Sequence, residues 1–469
     1  MSDAGMGGGM NATIFGIIGY VVLQILIGAW VARRVATEAD YILAGRSLGV
    51  TLAATSIFAT WFGAEVVIGA ASRVYSNGIS GAHAEPFAYA AGILIMGLVF
   101  AHKLWRQGIQ TFADFFRARY SARVERIAAV LLIPGSVLWA AAQIRGFGQI
   151  VGSASGLDLE TALTLAAVAV IVYTVLGGLL ADVYTDFIQS AVIVVGLVGF
   201  CWIAFAEVGG VSAGFAKIDP SRFDLFPDGQ SLLSLAEKWA IPICGSIVAV
   251  ELISRLLACR TPGIARTSAM VGGAGYLVIA FIPVTLGLIG PLLVPNIADP
   301  EQLVPEIAKA HLPPILYIVF VGALISAILS TVDSALLAAG TLLSHNLLLR
   351  LRPDAAERTK VLVARSSVAA LGLCAYVLAL RTMHISDLVE TASAFASAGL
   401  FVTLVFGLFT RIGGEFSAIA AMIGGALVWL VGSSLLDLEA PYLAGIAAAV
   451  VGYLAVSQFE AKSPVSGTA

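Results

Sequence analysis

The sequence predicts an all-α membrane protein with about thirteen transmembrane helices. Of its 469 residues 59% are hydrophobic and only 12% are charged, and the mean hydropathy is +0.95. Soluble domains carry roughly 25% charged residues, whereas apolar stretches of about 20 residues, which recur along this chain, are long enough to cross a bilayer. Because no long polar linker separates these stretches, we expect residues 1–469 to form one transmembrane domain.

The predicted spans follow the apolar stretches, and the polar segments between them are interpreted as loops. The amphipathic segment TFADFFRARYSARVER is expected on the membrane surface between the third and fourth spans, and the polar run 207–234 is expected to be a long loop. The thirteen predicted spans are 12–33, 49–73, 80–102, 125–153, 158–177, 183–206, 235–258, 264–294, 314–346, 360–381, 386–410, 415–434 and 440–458.

The distribution of basic residues predicts the orientation. If the N-terminus is outside and the chain changes sides at each span, 19 of the 26 Lys and Arg residues fall on one side and six on the other. Arg145 is the one left within a span. Loops rich in Lys and Arg stay in the cytoplasm. The sequence therefore predicts a multi-pass protein of the cell inner (plasma) membrane with its C-terminus in the cytoplasm.

Two predicted spans contain residues that interrupt helices. Gly63 lies within FATWFGAEVVIG and is expected to unwind the second span around residues 59–62, while Pro242 and Gly245 lie within IPICGSIVAVE of the seventh. Irregular backbone is tolerated in a membrane where it lines a protected cavity, and an interval of five spans is what an inverted repeat requires. Two ordinary kinks are the alternative.

Polar side chains concentrate in the ninth span. Hydroxyl and carboxylate oxygens suit a small hard cation. A hydroxyl alone can simply hydrogen-bond to the preceding helical turn. A carboxylate within a span, however, usually faces water, an ion or a partner charge. The polar residues of the ninth span are Ser326, Ser330, Thr331, Asp333 and Ser334, and other ionisable residues within apolar runs are Glu65, Glu85, Arg145, Asp186 and Glu251. The alternative to a functional role for Asp186 is that it is simply a carboxylate favoured at a helix N-terminus. The alternative for the other ionisable residues is that they form structural ion pairs.

The sequence gives no indication of an enzyme. We find no phosphate-binding loop, no nucleophile elbow and no metal-binding pair of histidines, and the five histidines are scattered. The four cysteines show no metal-ligand spacing. No nucleic-acid partner is expected.

One motif points to a known family. GGLLADVYTDFIQ resembles the GG(x)nA(x)nTDxxQ signature of the sodium/solute symporter family, and the similarity runs from YILAGRSLG to SDLVETAS. The segments ATWFG, SVLWAAAQI, SRLLACRT and AILSTVDSALLAAG look most like the high-affinity choline transporter branch. The resemblance implies a leucine-transporter-type fold: an extra helix at 12–33, a ten-helix inverted-repeat core at 46–411, two C-terminal helices at 412–458 and a short cytoplasmic tail at 459–469.

The resemblance also implies ion sites. A sodium ion would lie between the second and ninth spans, bound by the carbonyls of Ala59, Phe62 and Ala327 and the hydroxyls of Ser330 and Thr331. A possible second sodium would use Asp186, Ser330, Asp333 and Ser334. The expected cofactor is therefore the sodium ion.

The solute site implied by the resemblance is aromatic. Trp61, Tyr89 and Trp139 match positions that enclose a quaternary ammonium through cation–π attraction. A further tryptophan expected on the sixth core helix is replaced by Ala249, and Gln143 and Arg145 follow Trp139. The candidate solute-binding residues are Trp61, Glu65, Glu85, Tyr89, Trp139, Gln143, Arg145 and Glu251.

We therefore expect a sodium-coupled secondary active symporter that imports a small organic solute by alternating access. The solute is expected to be an organic cation or an amino-acid-like zwitterion. A solute sensor of the same fold, or a symporter for a monocarboxylate or sugar, is the alternative. The expected partners are the solute, sodium and the lipid bilayer.

Overall fold

The computed structural model describes residues 4–226, 229–381 and 384–460, and its regular elements there are helices. Nine helices of this described part are long and apolar enough to cross a membrane, and three shorter apolar helices accompany them. These lengths and compositions indicate a multi-pass membrane protein. The tail predicted at 459–469 lies almost wholly outside the described residues.

The helices of the first half include both long and short segments. They are Ala4–Ala32, Glu38–Leu43, Val50–Trp61, Glu65–Ala70, Ala71–Asn77, His83–Ala88, Tyr89–Ile95, Met96–Phe100, Ala101–Trp105, Phe112–Arg119, Ala122–Ser155 and Leu159–Glu207. Those of the second half are Val211–Ala216, Leu232–Val248, Val250–Leu257, Pro262–Leu293, Leu303–His311, Pro314–Thr341, Leu342–Leu348, Glu357–Arg381, Ile385–Ala394, Ser397–Phe409, Glu415–Ser434 and Pro441–Ser457.

The longest helix, Leu159–Glu207, is divided at Gly178. This residue has φ +65° and ψ 176°, a conformation that glycine adopts without steric cost. A Cβ atom there would lie 2.7 Å from the ring of Tyr41. The division falls between the predicted spans 158–177 and 183–206. We call the second part, residues 179–207, the aspartate helix.

The first broken helix comprises Val50–Trp61 and residues 65–77. It is interrupted at Phe62, which has φ −97° and ψ 61°. The break lies beside Gly63, as the sequence predicted.

The second broken helix comprises Leu232–Val248 and Val250–Leu257, and its break lies at Ala249. The prediction that Pro242 and Gly245 cause the break was wrong, because the helix continues through both. Gly245 instead allows close packing, since a Cβ there would lie 2.9 Å from the carbonyl oxygen of Ser393.

The centre of the bundle is the helix Pro314–Thr341, which we call the hydroxyl helix. Every residue from 323 to 341 is buried. The aspartate helix packs along it so closely that a Cβ on Gly196 would collide with Ala323. These two helices and the first broken helix therefore bring the polar residues of the sequence motifs together.

The predicted amphipathic surface segment forms a helix, Phe112–Arg119, but a shorter one than predicted. Thr111 and Asp114 form a capping box at its start, and Ser121 caps the next helix. The phenylalanines at 112, 115 and 116 are buried against the protein. The segment therefore ends at Arg119 because the following residues begin a transmembrane helix.

Candidate functional site

A small cavity of about 60 Å³ lies at the break of the second broken helix, and we call it the aromatic cavity. Trp61, Tyr89 and Trp139 line it together with Ala249 and Glu251. The rings of Trp61 and Trp139 meet edge to face, with their centroids 5.4 Å apart. The structure thus brings together the three predicted aromatic residues and one predicted carboxylate.

The polar groups of the aromatic cavity are incompletely paired. The Glu251 carboxylate accepts a hydrogen bond from the Ser136 hydroxyl, and it is the only charged group among the residues found to line this cavity. Trp61 Nε1 and Ser246 Oγ are buried without a hydrogen-bond partner among the described residues. Because a buried donor without an acceptor costs free energy, these two groups indicate a polar ligand.

A second cavity of about 490 Å³, which we call the wide cavity, lies next to the first. Glu65 and Glu85 line it, and Arg73 and Lys238 add basic groups. Tyr89 lines both cavities. The wide cavity therefore leads towards the aromatic cavity.

Neutral donors hold the two glutamates of the wide cavity. Trp139 Nε1 donates to Glu65 over 3.2 Å, and Gln143 Nε2 donates to it over 2.6 Å. The Tyr276 hydroxyl donates to Glu85. Gln143 therefore contacts Glu65 and does not line either cavity.

Arg145 lies apart from the other candidate solute residues. It is nine-tenths buried, and its Nη1 donates to the Ala379 carbonyl over 3.4 Å. It lines neither of the two cavities. The geometry gives it no contact with a solute there.

The predicted main sodium site centres on Thr331. Its Oγ1 lies 3.1 Å from the Ala327 carbonyl oxygen and 3.5 Å from that of Ala59. The Phe62 carbonyl accepts no hydrogen bond within the described part of the chain, because the helix ends there. The Ser330 hydroxyl donates to Asp186 over 2.6 Å. All of these are hard oxygen atoms, the ligand type that suits a small hard cation.

The predicted second sodium residues lie together, but a guanidinium is among them. Arg255 Nη2 lies 2.5 Å from Asp182 and 3.5 Å from Asp186, and it also donates to Ser334. Asp182, Asp186 and Asp333 offer carboxylate oxygens within 4.8 Å of one another. We call these three aspartates and Arg255 the aspartate cluster. Of the four predicted ligands of the second sodium, Asp186 and Ser334 contact Arg255, so a sodium ion there would share these two with the guanidinium.

Asp186 is not a residue of a helix N-terminus. It lies in the body of the aspartate helix, is fully buried, and also accepts a hydrogen bond from Ser56. The alternative reading of a simple helix-end carboxylate is therefore wrong.

The sequence interpretation missed Asp182 and Arg255. It treated Arg145 as the only basic residue deep in a span, yet Arg255 is 1% exposed. The side chain of Arg255 points into the protein, where it forms salt bridges with two carboxylates. Arg255 was one of the 19 basic residues assigned to the cytoplasmic side, so that number falls to 18. Asp182 was detectable, because it lies four residues before Asp186 and therefore on the same helix face.

The family profile described as "Sodium:solute symporter family" matches residues 41–425. The chain belongs to this family. Its predicted resemblance is therefore confirmed, and sodium-coupled symport of a small solute is its activity. The family consists of transporters, in agreement with the absence of an enzyme motif.

Individual proteins that are similar to this chain are also transporters. The chain is 27% identical to the high-affinity choline transporter 1 of Caenorhabditis elegans, covering 89% of this chain and 77% of that one. It is also 27% identical to the osmoregulated proline transporter of Bacillus subtilis, covering 88% and 87%.

Solved structures show the fold. A Na+-coupled sialic acid symporter superimposes with a TM-score of 0.84 at 16% identity, and the match covers 96% of this chain and 98% of the symporter chain. Mhp1, a nucleobase-cation-symport-1 family transporter, has a TM-score of 0.62 at 16% identity, with coverages of 89% and 94%. The chain therefore has the fold of these leucine-transporter-type proteins.

Proposed function

We propose that this symporter imports a small organic cation that carries an oxygen acceptor, and that the aromatic cavity binds it. The observation that carries the proposal is the pairing of one buried carboxylate, Glu251, with three aromatic residues. An ammonium group is attracted both to a carboxylate and to aromatic faces. In place of the aromatic face missing at Ala249, this site has the charge of Glu251.

The unpaired donors extend this assignment. Trp61 Nε1 and Ser246 Oγ have no partner among the described groups, and a hydroxyl or carboxylate oxygen of the solute would accept from both. An amino-acid-like zwitterion is therefore the second candidate. A net anion is disfavoured, because the lining residues of the aromatic cavity include Glu251 and no Lys or Arg.

The proposed coupling ion binds at Thr331. We place one sodium among the carbonyls of Ala59, Phe62 and Ala327 and the hydroxyls of Ser330 and Thr331. Sodium at this position would join the first broken helix to the hydroxyl helix. A solute at Trp61, on the same broken helix, would then bind better when sodium is present, and by linkage sodium would bind better when the solute is present.

In the aspartate cluster we propose that Arg255 acts as a built-in cation. Its Nε also donates to Ser56 over 2.8 Å, and its Nη1 donates to the Glu251 carbonyl over 3.1 Å. Five acceptor atoms on four structural elements therefore fix the guanidinium. The guanidinium thus takes the place of one sodium ion beside Asp182 and Asp186.

We also propose thirteen membrane crossings. The nine long apolar helices become eleven when Leu159–Glu207 is divided at Gly178 and Glu65–Trp105 at residues 78–82. Val50–Trp61 joins residues 65–77 in the first broken helix, and the shorter helices Ile18–Ala32 and Pro441–Ser457 complete the set of thirteen. This arrangement supports the inverted-repeat core at 46–411 and the predicted orientation, with the N-terminus outside. Under it, the wide cavity opens to the outside.

The cytoplasmic side would then be closed by an ionic network. Arg350 lies 2.7 Å from Asp114 and 2.8 Å from Glu125, and His345 lies 2.8 Å from Glu38. These contacts join residues 345–350, at and just after the end of the helix Leu342–Leu348, to three other segments. Alternating access would require this network to open as the wide cavity closes.

Purified protein in proteoliposomes tests the proposed function. Choline, ethanolamine, proline, lactate and glucose would each be offered with an inward sodium gradient and with potassium replacing sodium. We expect accumulation of a cationic or zwitterionic compound only with the sodium gradient. Accumulation without sodium, or accumulation of lactate or glucose in place of the cations and zwitterions, would contradict the proposal.

A further inference from the structure

We propose that Glu65, Gln143 and Thr331 form a second sodium site beside Gly63. A methyl group placed on Gly63 would lie 2.5 Å from Glu65 Oε2, 2.6 Å from Gln143 Oε1 and 2.8 Å from Thr331 Oγ1. Three oxygen atoms from three helices therefore converge beside Gly63, and only a residue without a side chain leaves them uncrowded. We call this arrangement the glycine cradle.

The chemistry of the cradle suits an alkali cation. A carboxylate, an amide and a hydroxyl oxygen are all hard ligands. Ca²⁺, which is close to Na⁺ in size, takes oxygen ligands at about 2.3–2.6 Å. Gln143 Oε1 accepts one hydrogen bond, from the Ala64 N–H over 2.9 Å, so its second lone pair remains available to a cation.

The charge of Glu65 provides the reason for a cation. The side chain is 1% exposed, and its two side-chain donors, Trp139 and Gln143, are neutral. Arg73 acts on Glu65 electrostatically, but no salt bridge joins the two within the described part of the chain. A buried carboxylate without a paired charge is costly in a membrane protein. A bound sodium would offset that cost.

The cradle is also accessible and connected to the main site. Glu65 lines the wide cavity, so a cation can reach it by that route. Thr331 contacts the Ala59 and Ala327 carbonyls of the main site and also faces the cradle. The shared hydroxyl couples the two ions, and two sodium ions would therefore accompany each solute.

Equilibrium binding of ²²Na⁺ to the purified full-length protein, without solute, tests the inference. We expect two sodium ions per wild-type protein. Glu65→Gln removes the charge and keeps the shape, and it should weaken one of the two sites by at least about tenfold. The control is Glu390→Gln, a carboxylate that lines the same wide cavity and should leave both sites intact.

Gly63→Ala is the second variant, because its methyl group would occupy the cradle. It should retain at most one sodium. A cooperative thermal transition identifies folded protein. If the Gly63→Ala protein shows no such transition, the Glu65→Gln variant alone tests the second sodium site. One sodium in the wild type, or two unchanged sites in Glu65→Gln, would overturn the inference while leaving the main site standing. Binding of no sodium by the wild type would instead contradict the proposed function on which the inference rests.

Discussion

Two groups of buried oxygen atoms contact the hydroxyl helix, and they differ in how charge is balanced. The aspartate cluster contains Arg255, which forms salt bridges with Asp182 and Asp186. The glycine cradle contains Glu65, whose side-chain donors are neutral. A carboxylate with a built-in cation, such as Asp182, stabilises the structure, whereas one without it, such as Glu65, is available to a transported cation.

The aromatic cavity extends this comparison to the solute. Glu251 is 2% exposed and accepts a hydrogen bond from the neutral Ser136 side chain. Glu251 is therefore, like Glu65 and unlike Asp182, a buried carboxylate whose side-chain hydrogen-bond donor is neutral. We assign sodium as the cation for Glu65 and the solute as the cation for Glu251.

The largest effect is expected when the built-in cation is removed. Arg255→Gln leaves three buried carboxylates without it, and breaking such a buried pair costs about 3–5 kcal/mol. Thermal unfolding in detergent should show a clearly lower melting temperature. The double variant Arg255→Gln with Asp182→Asn should recover part of the loss, because it removes one of the uncompensated charges. An unchanged melting temperature in the single variant would remove the distinction between the two groups.

Glu251→Gln should weaken solute binding without a comparable loss of stability. A hydrogen bond to a charged group contributes about 1.5–3 kcal/mol, which corresponds to roughly a 10- to 100-fold loss of affinity. Solute binding at saturating sodium gives the measurement. Glu237→Gln is the matched control, because Glu237 is also buried on the second broken helix but accepts from the backbone N–H groups of Tyr442 and Leu443. Equal losses in both variants would argue against an ammonium at Glu251.

The cytoplasmic network supplies a third case, a carboxylate with charged partners outside the spanning helices. Burial raises the pKa of Asp114, but hydrogen bonds from His345 and the Thr111 N–H and the charge of Arg350 outweigh it and lower that pKa from 3.8 to about 2. The folded-state pKa is therefore below the unfolded value. Its stabilising contribution is present above about pH 4 and is lost as the pH falls towards 2.

Asp114→Asn tests this contribution. We expect a loss of up to about 2 kcal/mol at neutral pH and a flatter dependence of stability on pH between 4 and 2. Melting temperatures across that range provide the measurement. A variant whose acid dependence matches that of the wild type would show that Asp114 does not contribute through its charge.

The smallest change in stability is expected for Glu65→Gln in sodium-free buffer. Trp139 and Gln143 remain as neutral donors, but an amide has one acceptor oxygen where the carboxylate has two, so one of these hydrogen bonds is lost while the uncompensated charge disappears. The two effects oppose each other, so the variant should melt close to the wild-type temperature. Sodium should then raise the melting temperature of the variant less than that of the wild type, because a ligand stabilises the state it binds. A strong destabilisation without sodium would place Glu65 with the structural carboxylates.

The sequence predicted features that depend on local composition. Hydropathy located the long apolar helices, and Gly63 located the break at Phe62 because small residues weaken a helix locally. The same reasoning misplaced the second break, since Gly245 serves packing against Ser393. That contact joins residues distant in the sequence, so no local pattern reveals it.

The positions of the charged residues also depend on contacts between residues that are distant in the sequence. Arg255 lies near the end of an apolar run, where an arginine side chain usually reaches water, and only the neighbouring Asp182 and Asp186 explain its inward direction. The glycine cradle was also not predictable, because its three oxygen atoms come from three separate helices. Glu65 and Gln143 were predicted to bind solute, and their geometry instead supports our proposal of a cation site.

Binding of ²²Na⁺ to Thr331→Val tests most directly whether sodium binds at Thr331. Valine keeps the shape of the side chain and removes the hydroxyl shared by the main site and the glycine cradle. The control is Ser326→Ala on the same helix as Thr331, which removes a hydroxyl that is hydrogen-bonded to Tyr20 of the first helix. We predict that Thr331→Val loses sodium binding while Ser326→Ala retains it. Unchanged sodium affinity and stoichiometry in Thr331→Val would contradict the account.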